Sequence, residues 1–324
     1  MKYVEAIRQA IYDSMKELPT MTILGQGVWS PFYVGRSMDG IESEFGRERV
    51  IDTPVSENAV TGIALGSALM QNPTLVIHPR MDFMILAMDP IVNAAAKWRY
   101  ALNWQGEIPL TIRAIINRGG EQGAQHSQSL QSWFAHIPGL RVVMPSSPRD
   151  AYFLLKQSLH CPDPVLFIED RWSYEIESDF STHDSFPALH MEQSEVKRAG
   201  DDVTIIGIGH STNIIMEAAE LLEDLGLSVE VIDLRVLQPL DPTVVLNSVS
   251  KTRRLIVVDG AWRTCGMASE IVSRVVENID FQLKSKPIRI TLPDSPAPTS
   301  SRLEKLYYPS VSEIVDSVKQ MFVL

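Results

Sequence analysis

The sequence predicts an α/β protein of two parallel-sheet, three-layer domains. Three observations predict it. Short β-branched runs alternate with helical stretches along the chain. Runs such as TLVIHP at 74–79 and PLTIRAII at 109–116 read as internal strands, the kind found in a parallel sheet covered on both faces. A polar stretch at 171–200 interrupts the alternation, and a second, smaller α/β series follows it. The domains are accordingly placed at 1–180 and 199–324, with a connector over 181–198.

In chain order, residues 3–17 have the apolar stripe of an amphipathic helix. TMTILG is a short strand, and RVIDTP is a second that feeds a helix beginning at Glu57. Pro54 and Ser56 punctuate that start, with Ser56 as the N-cap. Val60, Ile63, Ala64, Leu65, Ala68, Leu69 and Met70 make this helix apolar on nearly every side, so burial all round is expected. Gly62 and Gly66, one turn apart, would let another backbone approach closely. Residues 81–102 read as a long apolar helix, bent or interrupted near Pro90. RVVMPSS, AYFLLKQSLHC and PVLFIED complete a strand–helix–strand unit. In the second series the strands are DVTIIGIG, LSVEVIDLRVL, RRLIVVDG and PIRITLPD. Its helices are STNIIMEAAELLEDLG, GMASEIVSRVVENI and 311–322.

The 324 residues are 45% hydrophobic and 21% charged, the composition of a soluble globular protein. The net charge of -11 and the lack of a Lys/Arg-rich run argue against a nucleic-acid partner. No apolar run reaches the ~18 residues that a membrane span needs. The first helix carries charges throughout, unlike a signal peptide, so a cytoplasmic location is expected. Cys161 and Cys265 stand outside any C-x-x-C or metal-ligand spacing and read as buried or half-buried thiols.

Glu57 is the first candidate for chemistry. An acid in the first turn of a helix is stabilised by the macrodipole, and that alone would account for it. The functional reading is that a carboxylate at the mouth of an apolar helix pairs with a ligand nitrogen. His126 lies in GAQHSQS after a Gly-rich loop, either as a polar loop residue or as a group of near-neutral pKa facing a site. GIGHSTN (207–213) resembles half of a dinucleotide fingerprint, with Asp233 as its ribose acid, or is simply a tight strand–helix turn. His78, His136 and His160 read as isolated structural histidines. The chain also lacks a G-D-G followed some two dozen residues later by Asn, the pattern that holds a divalent metal on thiamine diphosphate.

Taken together, RVIDTPVSENAVTGIALGSAL, MDF…MDPIVNAAAKWRY, QHSQSLQSWFAHIPGLRVVMPSSPRDAYFLLKQSL, DPVLFIED, VEVIDLRVLQPLD, RLIVVDGAWRTCGMASEIVSRVVE and DSPAPTSSRLEKLYYPS resemble one family. It is the β subunit of the two-chain 2-oxo acid dehydrogenase E1 component, pyruvate or branched-chain, in the transketolase-like superfamily. The resemblance implies a pyrimidine-binding domain followed by a transketolase C-terminal-type domain. It implies that Glu57, in T-P-x-S-E, bonds N1′ of the aminopyrimidine of thiamine diphosphate and favours the imino tautomer that deprotonates C2 of the thiazolium. Phe83 matches the aromatic position that packs on the pyrimidine, and His126 the histidine facing substrate and lipoyl group. A potassium ion on the backbone carbonyls of Leu110, Ser158, Cys161 and Asp163 is carried over from some members. The resemblance further implies that a separate α subunit holds the diphosphate and its Mg²⁺, in an α2β2 heterotetramer, and that a lipoyl-bearing E2 accepts the acyl group from a small 2-oxo acid. Two alternatives stay open. One is an enzyme that passes the decarboxylated unit to an aldehyde or ketone without E2; the other is a non-catalytic scaffold.

The sequence departs from the family pattern at three places. GQGV, with Gln26, stands where the family has G-E-D-V or G-E-E-V. IHPR (77–80) replaces E-x-Q-F, and AIINRGG replaces a Gly-Pro-rich stretch. Arg80 and Arg118 are therefore candidates to bind a substrate anion, or surface and interchain salt-bridge residues.

Overall fold

The computed structural model describes residues 1–186 and 194–323. Its chain divides into two compact units. The first comprises 1–118, 133–143 and 147–192; the second comprises 119–132, 144–146 and 193–324.

In the first unit, strands β1 (Thr22–Gly25), β2 (Val50–Asp52), β3 (Thr74–His78), β4 (Leu110–Ile116), β5 (Arg141–Val143) and β6 (Val165–Asp170) run in the order β5-β6-β4-β3-β1-β2. Every pairing among them is parallel. Helices α1 (Tyr3–Glu17), α2 (Ile41–Phe45), α3 (Glu57–Leu69), α4 (Met81–Met84), α5 (Trp98–Ala101), α6 (Gln131–Ala135) and α7 (Pro148–Leu159) connect and cover them. The stripe Tyr3, Ala6, Ile7, Ala10, Ile11, Ser14 and Met15 buries one face of α1, which packs on α7. Each buried Ile or Met contributes about 1.5–3 kcal/mol before entropic costs. Tyr152 of α7 donates to Asp13 Oδ2 at 2.7 Å and ties the pair together.

The stretch expected as one bent helix is instead broken into four short pieces. α4 leads into a 3-10 turn (Ile85–Ala87), a π-helical segment (Asp89–Ala95) and α5. Pro90 cannot supply the N–H that a continuous α-helix needs, and the wider π winding begins there.

The second unit holds β7 (Glu195–Arg198), β8 (Val203–Gly207), β9 (Val229–Asp233), β10 (Val236–Gln238), β11 (Leu255–Trp262) and β12 (Ile288–Leu292). Its five-stranded sheet has the order β12-β11-β8-β9-β7. It is mixed rather than wholly parallel, because β7 runs antiparallel to β9. Of the connector placed at 181–198, residues 187–193 lie outside the described residues, and 195–198 form β7. Helices α8 (Ser211–Glu223), α9 (Thr243–Thr252), α10 (Met267–Asn278), α11 (Ser301–Tyr307) and α12 (Val311–Phe322) complete the unit. Ile215, Ala218 and Leu222 of α8 pack with Ile314 and Val318 of α12 over Ile205, Val231 and Ile256 of the sheet. α9 is anchored by hydroxyls: Thr204 Oγ1 lies 2.7 Å from Ser248 Oγ and 2.7 Å from Thr252 Oγ1.

No helix among the described residues is long and apolar enough to cross a membrane. Cys161 is buried, which pushes its thiol pKa up. Cys265 is exposed, contrary to the expectation of two shielded thiols.

Candidate active site

The site residues of the first unit stand at the carboxyl ends of parallel strands, where open α/β sheets place their ligands. Gln26 follows β1, Glu57 begins α3 just after β2, Arg80 and Phe83 follow β3, Asn117 and Arg118 follow β4, and Arg171 follows β6.

Glu57 is the first residue of α3. Ser56 occupies the N-cap as expected, but its side chain makes no capping bond. The leading N–H groups of the helix therefore favour a negative group at this end. The Glu57 side chain is half-buried and lines a cavity of about 20 Å³ with Gly25, Gln26, Val60, His78 and Pro79. A space of that size holds about one water. It does not enclose a heterocycle within this chain. The carboxylate is reachable from outside, and Phe83 presents an aromatic ring that is 39% exposed. A half-buried acid after β2 and a partly exposed aromatic ring after β3 are residue types that fit an aminopyrimidine.

His78 forms part of the wall beside Glu57. It is 3% exposed, and its Nε2 lies 3.1 Å from Thr61 Oγ1, one turn along α3 from Glu57. Burial pushes its pKa down to about 4, so the ring is neutral at pH 7. Read as isolated in the sequence, this histidine belongs to the candidate site. Its position as the last residue of a parallel strand is the signal that could have found it.

The face of α3 away from the sheet is not buried. Ile63 is 61% exposed, Met70 is 76% exposed, and a Cβ added at Gly62 or Gly66 would meet nothing within 4 Å. The expectation of burial all round therefore fails for this chain alone. Ala59, Gly62, Ile63, Gly66 and Met70 form an open stripe of small and apolar residues.

The GQGV departure acquires a structural account. Gly27 has φ +69°, and a Cβ there would overlap the Tyr33 ring. Its N–H donates to Asp52 Oδ1 at 2.9 Å, and Gln26 Nε2 donates to Tyr33 Oη at 2.6 Å. The two substituted residues thus seat Tyr33. That ring lines a second cleft of about 250 Å³, together with Ser30, Phe32, Pro79, Arg80, Asn117 and Arg171. Pro79 lines both clefts.

Of the two candidate arginines, Arg80 lines this second cleft. Arg118 is buried, paired with Asp170 at 2.8 Å, and packed over the Trp172 ring. Arg118 is thus a buried intrachain ion-pair residue, neither a surface nor an interchain one. Arg171, missed in the sequence, lies in the cleft in its place.

His126 belongs to the second unit, in a turn where its N–H donates to the Gly123 carbonyl at 3.4 Å. Its loop is tied down by Ser129 Oγ donating to Gln131 Oε1 at 2.7 Å and Gln131 Nε2 donating to Asp259 Oδ1 at 2.8 Å. Asp233 is an internal acceptor rather than a ribose ligand: fully buried, it takes bonds from Ser146, the Thr212 hydroxyl and the Arg235 N–H. The Ser158 carbonyl accepts from Thr111 Oγ1 at 2.8 Å and from the Cys161 N–H at 3.2 Å. Among the described residues no three His, Cys, Asp or Glu side chains converge as a metal site.

A fold with two such units, and a carboxylate at the strand ends of the first, defines a transketolase-type protein. Residues 1–176 match the transketolase pyrimidine-binding domain, and residues 192–314 the transketolase C-terminal domain. The chain is 34% identical over 97% of its length to the pyruvate dehydrogenase E1 component subunit beta of Rhizobium meliloti (strain 1021), covering 68% of that protein. It is 35% identical over 96% of its length to the acetoin:2,6-dichlorophenolindophenol oxidoreductase subunit beta of Bacillus subtilis (strain 168), covering 94% of it. It is 33% identical over 99% of its length to the 2-oxoisovalerate dehydrogenase subunit beta of the same organism, covering 98% of it. A solved structure titled split gene transketolase, inactive beta4 tetramer, shares the fold with a TM-score of 0.81 at 19% identity, covering 100% of this chain and 99% of that one. The chain belongs to the E1 β-subunit family of thiamine diphosphate-dependent 2-oxo acid dehydrogenases.

Proposed function

We propose that this chain supplies the pyrimidine half-site of a thiamine diphosphate enzyme that decarboxylates a small 2-oxo acid and delivers the acyl group to a lipoyl-bearing E2. The observation that carries the reading is Glu57, half-buried at the start of α3 and lining a cleft at the strand ends, with Phe83, 39% exposed, in α4 after β3. When bound, the cofactor provides the electron sink for decarboxylation. Glu57 holds and returns the proton at the pyrimidine N1′. The Phe83 ring orients that heterocycle, a contact worth about 0.5–1.5 kcal/mol. His78 keeps a neutral, desolvated wall beside Glu57. His126 holds or donates a proton on the substrate side.

The diphosphate and its Mg²⁺ are assigned to an α subunit, in an α2β2 assembly, and a cytoplasmic location goes with this reading. The open stripe on α3 supports a close interchain packing there. A potassium ion on the carbonyls of Leu110, Ser158, Cys161 and Asp163 would have to draw the Ser158 oxygen away from the Thr111 hydroxyl and the Cys161 N–H. That donor set fits a cation poorly, and no step requires one.

The test is co-expression with an α-type chain and an assay of 2-oxo acid decarboxylation with an artificial electron acceptor. Turnover that depends on thiamine diphosphate and is abolished by Glu57→Ala supports the reading. Full turnover by Glu57→Ala in an intact assembly overturns it.

A further inference from the structure

We propose that the cleft lined by Arg80, Asn117 and Arg171 is a subsite for a second anionic group, so that the substrate of this enzyme is a 2-oxo acid with a carboxylate or phosphate at its far end. The inference rests on the pyrimidine half-site reading and adds the substrate class to it.

The cleft volume of about 250 Å³ lies near the lower end of small-molecule sites, ~300–1,000 Å³. It is large enough for the tail of a small acid. Two guanidinium groups line it. Arg118, one strand end away, has its charge answered by Asp170. Arg171 has no acidic partner among the described residues. Its Nη2 donates to the Tyr33 carbonyl at 3.1 Å, and its cation lies 5.7 Å from the Tyr174 ring centroid. Its Nε is buried and has no hydrogen-bond acceptor among the described residues. A buried donor on an uncompensated cation leaves an unmet demand for an anion, and a guanidinium meets carboxylate or phosphate oxygens with paired N–H groups. Asn117 Nδ2 is committed to the Pro79 carbonyl at 2.9 Å and holds the two strand ends together beneath the cleft. Gln26 and Gly27 seat Tyr33 as another wall.

The placement also fits a substrate tail. Pro79 is common to this cleft and to the Glu57 cavity. An acid with its reacting end toward the cofactor side would send its far end past Pro79 to the arginines. An uncharged tail would leave the Arg171 cation without an anion, whereas an anionic tail pairs with it.

The experiment has two arms. In the first, the full 324-residue chain without cofactor is titrated calorimetrically with 2-oxoglutarate, with 3-phosphohydroxypyruvate and with pyruvate. Binding of one or both of the acids with anionic tails at least tenfold tighter than pyruvate, weakened at least tenfold by Arg171→Gln and recovered only in part by Arg171→Lys, supports the subsite. The preferred acid identifies the group as carboxylate or phosphate. Equal binding of all three, or indifference to Arg171→Gln, overturns it. In the second arm, the assembly with its α partner is assayed on 2-oxo acids with neutral and with anionic tails. Arg171→Gln should raise KM at least tenfold for the anionic substrate, leave its kcat within twofold, and leave the neutral substrate unaffected. Turnover that favours neutral tails overturns the subsite while leaving the half-site reading intact. Binding of an acid with an anionic tail without any cofactor-dependent turnover overturns the half-site reading, and the substrate assignment with it.

Discussion

Thr61 Oγ1 lies 3.1 Å from His78 Nε2, joining the second turn of the Glu57 helix to the last residue of β3. The bond satisfies one polar atom of a side chain that is otherwise desolvated. His78 titrates at about 4 when folded, against about 6.5 in an unfolded chain. Between those values the unfolded state binds more protons, so stability rises with pH. The contribution is fully present above pH ~6.5 and is lost as pH falls toward 4, a difference on the order of 3 kcal/mol. Urea unfolding at pH 7.5 and pH 5 should show a smaller loss for His78→Leu than for the parent chain. Equal losses in the two proteins would remove this role.

Glu57 has a modest structural role and a large proposed chemical one. At a half-buried first-turn position its charge contributes ~0.3–1 kcal/mol through the helix dipole. Glu57→Gln should therefore unfold within about 1 kcal/mol of the parent. In the complete assembly the same change should lower kcat by about 10²–10⁴, the range for a lost acid–base contact. Thermal unfolding and steady-state assays on one preparation separate the two effects. A large loss of stability with unchanged kcat would reverse the assignment.

Much of this fold was legible because hydrophobic period is local. The apolar run at 110–116 marked an internal strand, and the stripe on 3–17 marked α1. What escaped depends on pairing across distance. β7 has a strand's alternation only weakly, and its antiparallel register is set by β9. The stripe on α3 looked buried because apolar composition does not say which face of a helix meets the sheet. The Glu57 position was legible from Pro54, Ser56 and the run that follows. Arg171 was not, because it opens a polar segment, and only the order of β3, β4 and β6 in the sheet brings it to the cleft of Arg80 and Asn117. Arg113 shows the same limit: within an apolar strand its charge gave no hint of a partner.

That partner is Glu169. Both side chains are fully buried; Arg113 Nε donates to Glu169 Oε1 at 2.9 Å, and its Nη2 donates to Ser37 Oγ at 2.7 Å. Tyr174 Oη donates to the same Glu169 oxygen at 2.8 Å. Removing one ion of such a pair leaves the other buried and uncompensated, at a cost of about 3–5 kcal/mol. Glu169→Leu should lose about that much in urea unfolding. Arg113→Met with Glu169→Leu together should recover a substantial part of it, since neither ion is then left alone. Additive losses in the double variant would show that the pair is not coupled.

Gly62 and Gly66 separate the stability of the chain from that of the assembly. Both lie in the interior of α3, where glycine costs roughly 0.5–1 kcal/mol relative to alanine. A Cβ at either position meets nothing within 4 Å in this chain. Gly62→Ala and Gly66→Ala should therefore each stabilise the isolated chain by about 0.5–1 kcal/mol. If another backbone packs on this face, Gly62→Leu with Gly66→Leu should leave the isolated chain folded, with an unchanged far-UV spectrum. The same double variant should fail to co-elute with its α partner in gel filtration. Intact co-elution with full decarboxylase turnover would mean that the partner engages some other surface. The apolar stripe formed by Ile63 and Met70 would then need a different occupant.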